Sequence, residues 1–320
     1  MYKLLNIPPE YLPDHGDCLS SIFFKLFLYY KIDGFGKLFY DAGHLAYVQC
    51  QNPHLPFNTN INLKLPQIDY FERVKVLYNI HTRTINLNII DNIISSIDNE
   101  TPIVMCGRAI DMPWRHCQNT DEYHACLIIG YNSIDQCFIC LDPIFEGRLL
   151  KLPYNNIRTD DDKTQFKFLD VSETKKNSDF DNYCFRDYFR SLDQKEYSWS
   201  CFANLCTDII KKDSIGLLFI ENYENYLLNN VTWFFLRGRS AKIALFFTYI
   251  YETTSNEEIK EIIKLAKKCI VTIGIASTLV VRYSRTGEKQ LISKVIEKIL
   301  ECAVLERSMS ELIITHNISP

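Results

Sequence analysis

Apolar positions at 19, 22, 23, 26, 27 and 30 recur at the spacing of one helix face, so the run that starts near Cys18 reads as an amphipathic α-helix. Asp17 fits its N-cap, and Gly16 fits the bend before it. Residues 31–66 are loop-rich, with Gly34, Gly36, Gly43, Pro53, Pro56 and Pro66 punctuating short segments. Helical spacing returns over Tyr70 to Asn79 and Leu87 to Ile97. The period then changes. Thr101 to Cys106 reads as a buried strand, and Tyr123 to Tyr131 with Cys137 to Leu141 as two apolar, β-branched runs around a polar turn, the pattern of an antiparallel hairpin. From about residue 183 the pattern is almost wholly helical. It includes the capping box Ser255-Asn256-Glu257-Glu258, followed by Ile259, Ile262, Ile263, Ala266 and Ile270 on one face. The apolar run Cys269 to Val281 is too short for a bilayer, which takes about 20 residues, and reads as a buried helix.

The hairpin carries the first chemical signal. A turn centred on Ser133 sets His124 directly opposite Asp142, and directly opposed Cβ atoms lie about 4.5 to 5.5 Å apart. A carboxylate at that distance holds one imidazole nitrogen and leaves the other free, which is the oriented-base half of a catalytic triad. The nucleophile then has to come from elsewhere, and Cys18 is the best candidate. A thiol in the first turn of a helix faces unpaired N–H groups and the positive end of the dipole, which lowers its pKa toward about 3.5 to 7.5. The sequence therefore predicts a resting thiolate at Cys18. Most of the other cysteines read as small buried hydrophobes. Cys137 and Cys140 form a C-x-x-C, but residues three apart on a strand point to opposite faces, so no metal is expected there.

Composition narrows the class. The chain has 320 residues, enough for two cores, and 47% of them are hydrophobic. With 35 basic against 39 acidic residues the net charge is −4, so no global positive field attracts nucleic acid, which is not expected as a partner. The opening segment breaks at Pro8 and Pro9 before a signal-peptide core could form, and twelve cysteines without an export signal suit reduced thiols. A cytoplasmic protein with no membrane partner is the expectation. The division predicted is a catalytic domain over 1–155, a polar linker or insert over 156–182 with one apolar alternation at Gln165 to Val171, and a helical domain over 183–320.

A cysteine opening the first long helix, with a histidine strand and an Asp-Pro about a hundred residues later, resembles the papain-like cysteine peptidases. The spacing from His124 to Asp142-Pro143 is similar to that of the peptidase domains that cut double-glycine leaders. Closer still is the likeness to peptidase-like acyltransferases of the butirosin type, which combine such a cysteine with a Pro-Ile-Val strand, a Tyr-His strand ending in Gly-Tyr, and Asp-Pro. Here these are Cys18, Pro102-Ile103-Val104, Tyr123 to Tyr131 and Asp142-Pro143. The resemblance covers roughly residues 10–155, and beyond them only helical character. It implies an α+β fold: a papain-like domain with an antiparallel sheet, then a mostly helical domain. One departure stands out. Papain-like enzymes generally place an oxyanion-binding glutamine six residues before the cysteine, where this chain has Leu12, so the hole would have to use the backbone N–H of Cys18 with another donor, Tyr11 or a backbone group of residues 14–17.

The resemblance implies an acyltransferase that forms an amide, as in thiotemplated pathways such as that to closthioamide. Cys18 would take the acyl group from a thioester on an acyl or peptidyl carrier protein, His124 would move the proton, Asp142 would fix the imidazole, and an amine would resolve the acyl-enzyme. No cofactor is expected to be bound, the phosphopantetheine arm being presented by the carrier. Arg237, Arg239, Lys242, Arg282 and Arg285 are candidates for a basic patch facing that acidic partner, against the plainer reading of solvated helix faces. Two rivals stay open: a cysteine peptidase or thioesterase with the same triad, and a catalytically inactive carrier-docking module.

Overall fold

A computed structural model of the chain describes residues 1–12, 17–40, 46–47, 63–64, 69–115, 123–145, 147–157, 164–174 and 237–315. The chain divides into two compact units, one of residues 1–35 with 69–177 and one of residues 36–68 with 178–320.

The first unit is built on an antiparallel sheet. Its strands are β1 (Tyr2–Leu4), β4 (His81–Ile85), β5 (Ile103–Arg108), β6 (Tyr123–Asn132), β7 (Cys137–Leu141), β8 (Leu150–Pro153) and β9 (Gln165–Asp170), in the order β4-β9-β5-β6-β7-β8. β1 takes the edge of β6 that β5 leaves, pairing Leu4 with Gly130 beyond the Ile103–Ile128 pair. β9 comes from the apolar alternation that composition had set in the linker. It forms an interior strand instead, because Phe166 and Leu169 are core residues and its backbone bonds both β4 and β5.

Helices α1 (Cys18–Tyr30), α2 (Tyr70–Tyr78) and α3 (Ile89–Asp98) complete this unit. Ile22, Phe23, Leu26 and Phe27 of α1 are fully buried, and burial of such side chains is worth about 1.5–3 kcal/mol each. Asp17 caps α1 as its sequence suggests, its Oδ1 accepting from Ser20 N at 2.6 Å. The helix ends where Lys31 turns left-handed and its N–H returns to Leu28 O. α3 buries Ile89, Ile93 and Ile97, one stripe at helical spacing.

The hairpin forms, but in a different register from the one its sequence suggests. The turn occupies residues 133–136, where Asn132 Oδ1 accepts from Ile134 N and Asp135 N and Gln136 adopts φ 49°, so that Asn132 faces Cys137. Between Ile128 and Gly130 the register shifts by one at a bulge, leaving Ile128 opposite Cys140 and Leu127 opposite Leu141. Continued one step, this register sets Asp142 opposite Cys126. His124 is then Asp142's diagonal neighbour on the same face, not its direct partner.

Among the described residues, the second unit contains the short antiparallel pair β2 (Ala46–Tyr47) and β3 (Leu63–Lys64) and the helices α4 (Gly238–Thr254), α5 (Glu258–Thr286) and α6 (Gln290–Thr315). α5 packs on both α4 and α6. The capping box does not form. Ser255 instead closes α4 in a left-handed conformation, its N–H bonding Tyr251 O at 2.7 Å, while Asn256 Oδ1 accepts from Glu258 N. Arg239, one of the candidate docking cations, is buried in an ion pair with Glu306 of α6, so it presents no charge to a partner. Among the described residues no helix is long and apolar enough to cross a membrane.

Candidate active site

The site lies where β7 ends. Leu141 is its last paired residue, and Asp142 follows as the chain turns into Pro143–Phe145. His124 is the second residue of β6, opposite Gly107 of β5. Both side chains are buried, and His124 Nε2 meets Asp142 Oδ2 at 2.9 Å. With Nε2 held by the carboxylate, Nδ1 is the nitrogen left to take up a proton.

Asp142 is held by more than the histidine. Trp114 Nε1 donates to Oδ2 at 2.7 Å, and Ile144 N donates to Oδ1 at 2.9 Å. Burial alone would raise this carboxyl; the hydrogen bonds from His124, Ile144 and Trp114 overcome it and hold the pKa below the usual carboxylate value. Asp142 therefore stays an anion. Its role in orienting the imidazole depends on that charge. No local pattern in the sequence marks Trp114 for this role. The signal that points to it is chemical: a buried carboxylate with four lone-pair sites asks for donors beyond one histidine.

Cys18 opens α1 beside this pair. The backbone of Ala125, the residue after His124, favours its thiolate, and the charge of Asp142 opposes it. The fold thus brings all three predicted residues to one end of β6. It joins two of them directly: His124 is bonded to Asp142, whereas no thiol–imidazole hydrogen bond to Cys18 is formed among the described residues.

The thiol departs from its expected protonation state. Burial pushes the Cys18 pKa up to about 12, the Asp17 carboxylate adds to that rise, and the Ala125 N–H only partly offsets it. The helix terminus that was to favour a thiolate is itself capped by an anion. Asp17 Oδ1 accepts from Ser20 N and its Oδ2 from the Tyr70 hydroxyl, 3.0 Å away, so a negative charge is fixed next to the sulfur. The resting form is a thiol that needs a base at the moment of reaction.

The segment before the cysteine is tied down by Lys25. This buried cation donates to Pro8 O and Glu10 O and lies 4.1 Å from the Tyr11 ring centroid. The Tyr11 hydroxyl accepts from Gly147 N. Leu12 is a core residue at 3% exposure and supplies no donor. Of the backbone groups considered for the oxyanion, residues 14–16 lie outside the described residues.

The helix that starts at a cysteine, packed on an antiparallel sheet carrying a buried His–Asp pair, is the arrangement of a papain-like cysteine-peptidase fold. Residues 44–165 match the family described as Peptidase_C39 like, a stretch that includes His124 and Asp142 and begins after Cys18. A solved structure described as a C39-like peptidase, from Bacillus anthracis, is similar at 16% identity and a TM-score of 0.35, over 54% of this chain and 99% of that one. No curated protein sequence matches the chain.

Proposed function

We propose that the protein is a cysteine-dependent acyltransferase that makes an amide, with a carrier-protein thioester as donor and an amine as acceptor. His124 Nδ1 takes the proton of Cys18 as the sulfur attacks the thioester carbonyl. The C–S bond to the phosphopantetheine arm breaks and that thiolate leaves, forming the acyl-enzyme. The amine then attacks the Cys18 thioester, and its proton passes through His124 as the Cys18 thiolate is released.

The observation that carries the choice of donor is Leu12, buried where peptidases of this fold use an oxyanion-binding glutamine. Cleaving an unactivated amide needs strong oxyanion stabilisation, and losing one such donor costs a hydrolase about 10²- to 10³-fold. A thioester is already activated, and its thiolate leaves without protonation, so it tolerates a weaker hole. The match of residues 44–165 to a peptidase family favours a second reading, in which water resolves the same acyl-enzyme.

Intact mass after exposure to acyl-loaded carrier proteins tests the first step, with an acyl adduct on Cys18 as the expected result. Product partition tests the second. Amide should dominate at saturating amine. Free acid with every amine tried, together with cleavage of a peptide substrate, would replace transferase by hydrolase.

A further inference from the structure

One face of α5 is core and the other is a continuous exposed stripe. Ile262, Ile273 and Val280 are buried on the first. On the second, Lys264, Lys267, Val271, Ile275, Arg282 and Arg285 follow at steps of three, four or seven residues, the spacing of a single helix face, and all of them are exposed. Lys268, also exposed, widens the stripe. Its two ends are cationic and hold no carboxylate. Its middle is aliphatic, with Val271 at 63% and Ile275 at 44% exposure. From Lys267 to Arg285 the helix rises about 27 Å. Glu261 and Glu288, which pair with Lys264 at 3.1 Å and with Arg282 at 3.4 Å, stand off the stripe, while Lys267 and Arg285 form no ion pair among the described residues.

We propose that this stripe is the docking surface for the carrier protein, which meets it with an acidic surface whose own centre is apolar. The assignment rests on the reading of the protein as a carrier-dependent acyltransferase. An apolar centre inside a charged rim is the anatomy of a protein interface, and the sign of the rim selects an acidic partner. With a net charge of −4 the chain as a whole has no attraction for such a partner, so a local cationic stripe decides where it lands. A second copy of this chain does not fit. Laid antiparallel about Val271 and Ile275 it would set Lys264 against Arg282, and laid parallel it would set each cation against its own copy. A lipid surface is not favoured either, because the stripe offers no Trp, Phe or Leu to enter the headgroup boundary. Arg282 and Arg285 belong to the patch that the sequence suggests, whereas Lys264, Lys267 and the two aliphatic residues join it only through the helix face they share.

The test compares two donors with the full chain: the acyl-loaded carriers of the mass experiment, and the same acyl groups on free pantetheine. Lys267→Glu and Arg285→Glu should each raise KM for the carrier-bound donor by about fivefold or more and flatten its salt dependence, with the rate on acyl-pantetheine unchanged. Val271→Ser with Ile275→Ser should weaken the carrier-bound donor alone and keep the salt slope. Arg307→Glu is the control, the same reversal at an exposed site of α6 off the stripe, and should change KM by less than about twofold. An unchanged KM in both α5 reversals, an equal loss with both donors, or an equal loss with Arg307→Glu would overturn the docking surface. Wild type that sediments with phosphatidylserine vesicles, and no longer does so as Lys267→Glu, would give the stripe to a lipid surface instead. If acyl-pantetheine acylates Cys18 and no carrier-bound donor does, the docking surface falls and the chemistry at Cys18 stands. If neither donor acylates Cys18, the acyl-transfer reading falls and takes the docking surface with it.

Discussion

Trp114 Nε1 lies 2.7 Å from Asp142 Oδ2, the same oxygen that holds His124 Nε2 at 2.9 Å. One carboxylate oxygen thus serves two donors, and the indole fixes where the carboxylate can present itself to the imidazole. Hydrogen bonds to charged groups are worth about 1.5–3 kcal/mol. Trp114→Phe should therefore cut kcat/KM by at least roughly tenfold. The pH profile carries the sharper signature. With one of its donors gone the Asp142 pKa rises from its lowered position, so the pair is lost at a higher pH on the way down and the acid limb moves up. A variant with reduced rate and an unmoved acid limb would make Trp114 a packing residue only.

The Cys18 thiol, pushed up to about 12, should react slowly with iodoacetamide at neutral pH. Its rate should grow about tenfold per pH unit through pH 7 to 10, following the thiolate fraction. A plateau near pH 7 would instead mean a preformed thiolate. Cys18→Ala should lose turnover and keep its Tm, since alanine suits the first turn of a helix. Asp142→Asn should retain partial activity, because the carboxylate's role is orientation.

Much of this site is legible in the sequence because it depends on local patterns. Asp17 before an apolar helical stripe announces the α1 start, and the two strands around Asn132 to Gln136 announce the hairpin that carries His124 and Asp142. What escapes local patterns is anything set by a neighbour distant in the chain. The bulge at Ile129 depends on residues at the amino terminus, and the Trp114 bond depends on a loop folding back over the site. The thiol's protonation depends first on its burial under the rest of the fold and then on the charge of its own cap, which local propensity counts as favourable only for the helix. Ser255 shows the reverse failure: its capping motif is intact in sequence, yet the preceding helix takes the residue for its own C-cap.

In the second unit, Arg239 and Glu306 are both buried, at 5% and 7% exposure. Removing one member of such a pair leaves an uncompensated buried charge, which costs about 3–5 kcal/mol. Glu306→Gln should therefore lower the midpoint of urea unfolding markedly, whereas replacing both partners by apolar residues should recover most of the loss. Additive losses in the double variant would mean the two charges are not coupled.

The parity of the hairpin rests on one glycine. Before the bulge the register is the one that faces Asn132 with Cys137, and carried on without a shift it would set Asp142 opposite Leu127, on the face away from His124. The extra residue at Ile129 moves Asp142 opposite Cys126 and back to His124's face. Ile129 is held there because Leu5 N donates to its carbonyl at 2.8 Å, and β1 runs close against Gly130. A Cβ on Gly130 would stand 2.4 Å from Lys3 O, a backbone atom with no room to yield. Gly130→Ala must therefore either push β1 off the sheet or move the bulged segment of β6. The expected result is a destabilisation of about 1–3 kcal/mol, together with a loss of turnover measured well below the variant's own Tm. Gly274→Ala is the control. It has open space around its Cβ within a helix and should be neutral or stabilising by up to about 1 kcal/mol. Wild-type stability and rate in Gly130→Ala would show that the His124–Asp142 pairing does not depend on the β1 contact.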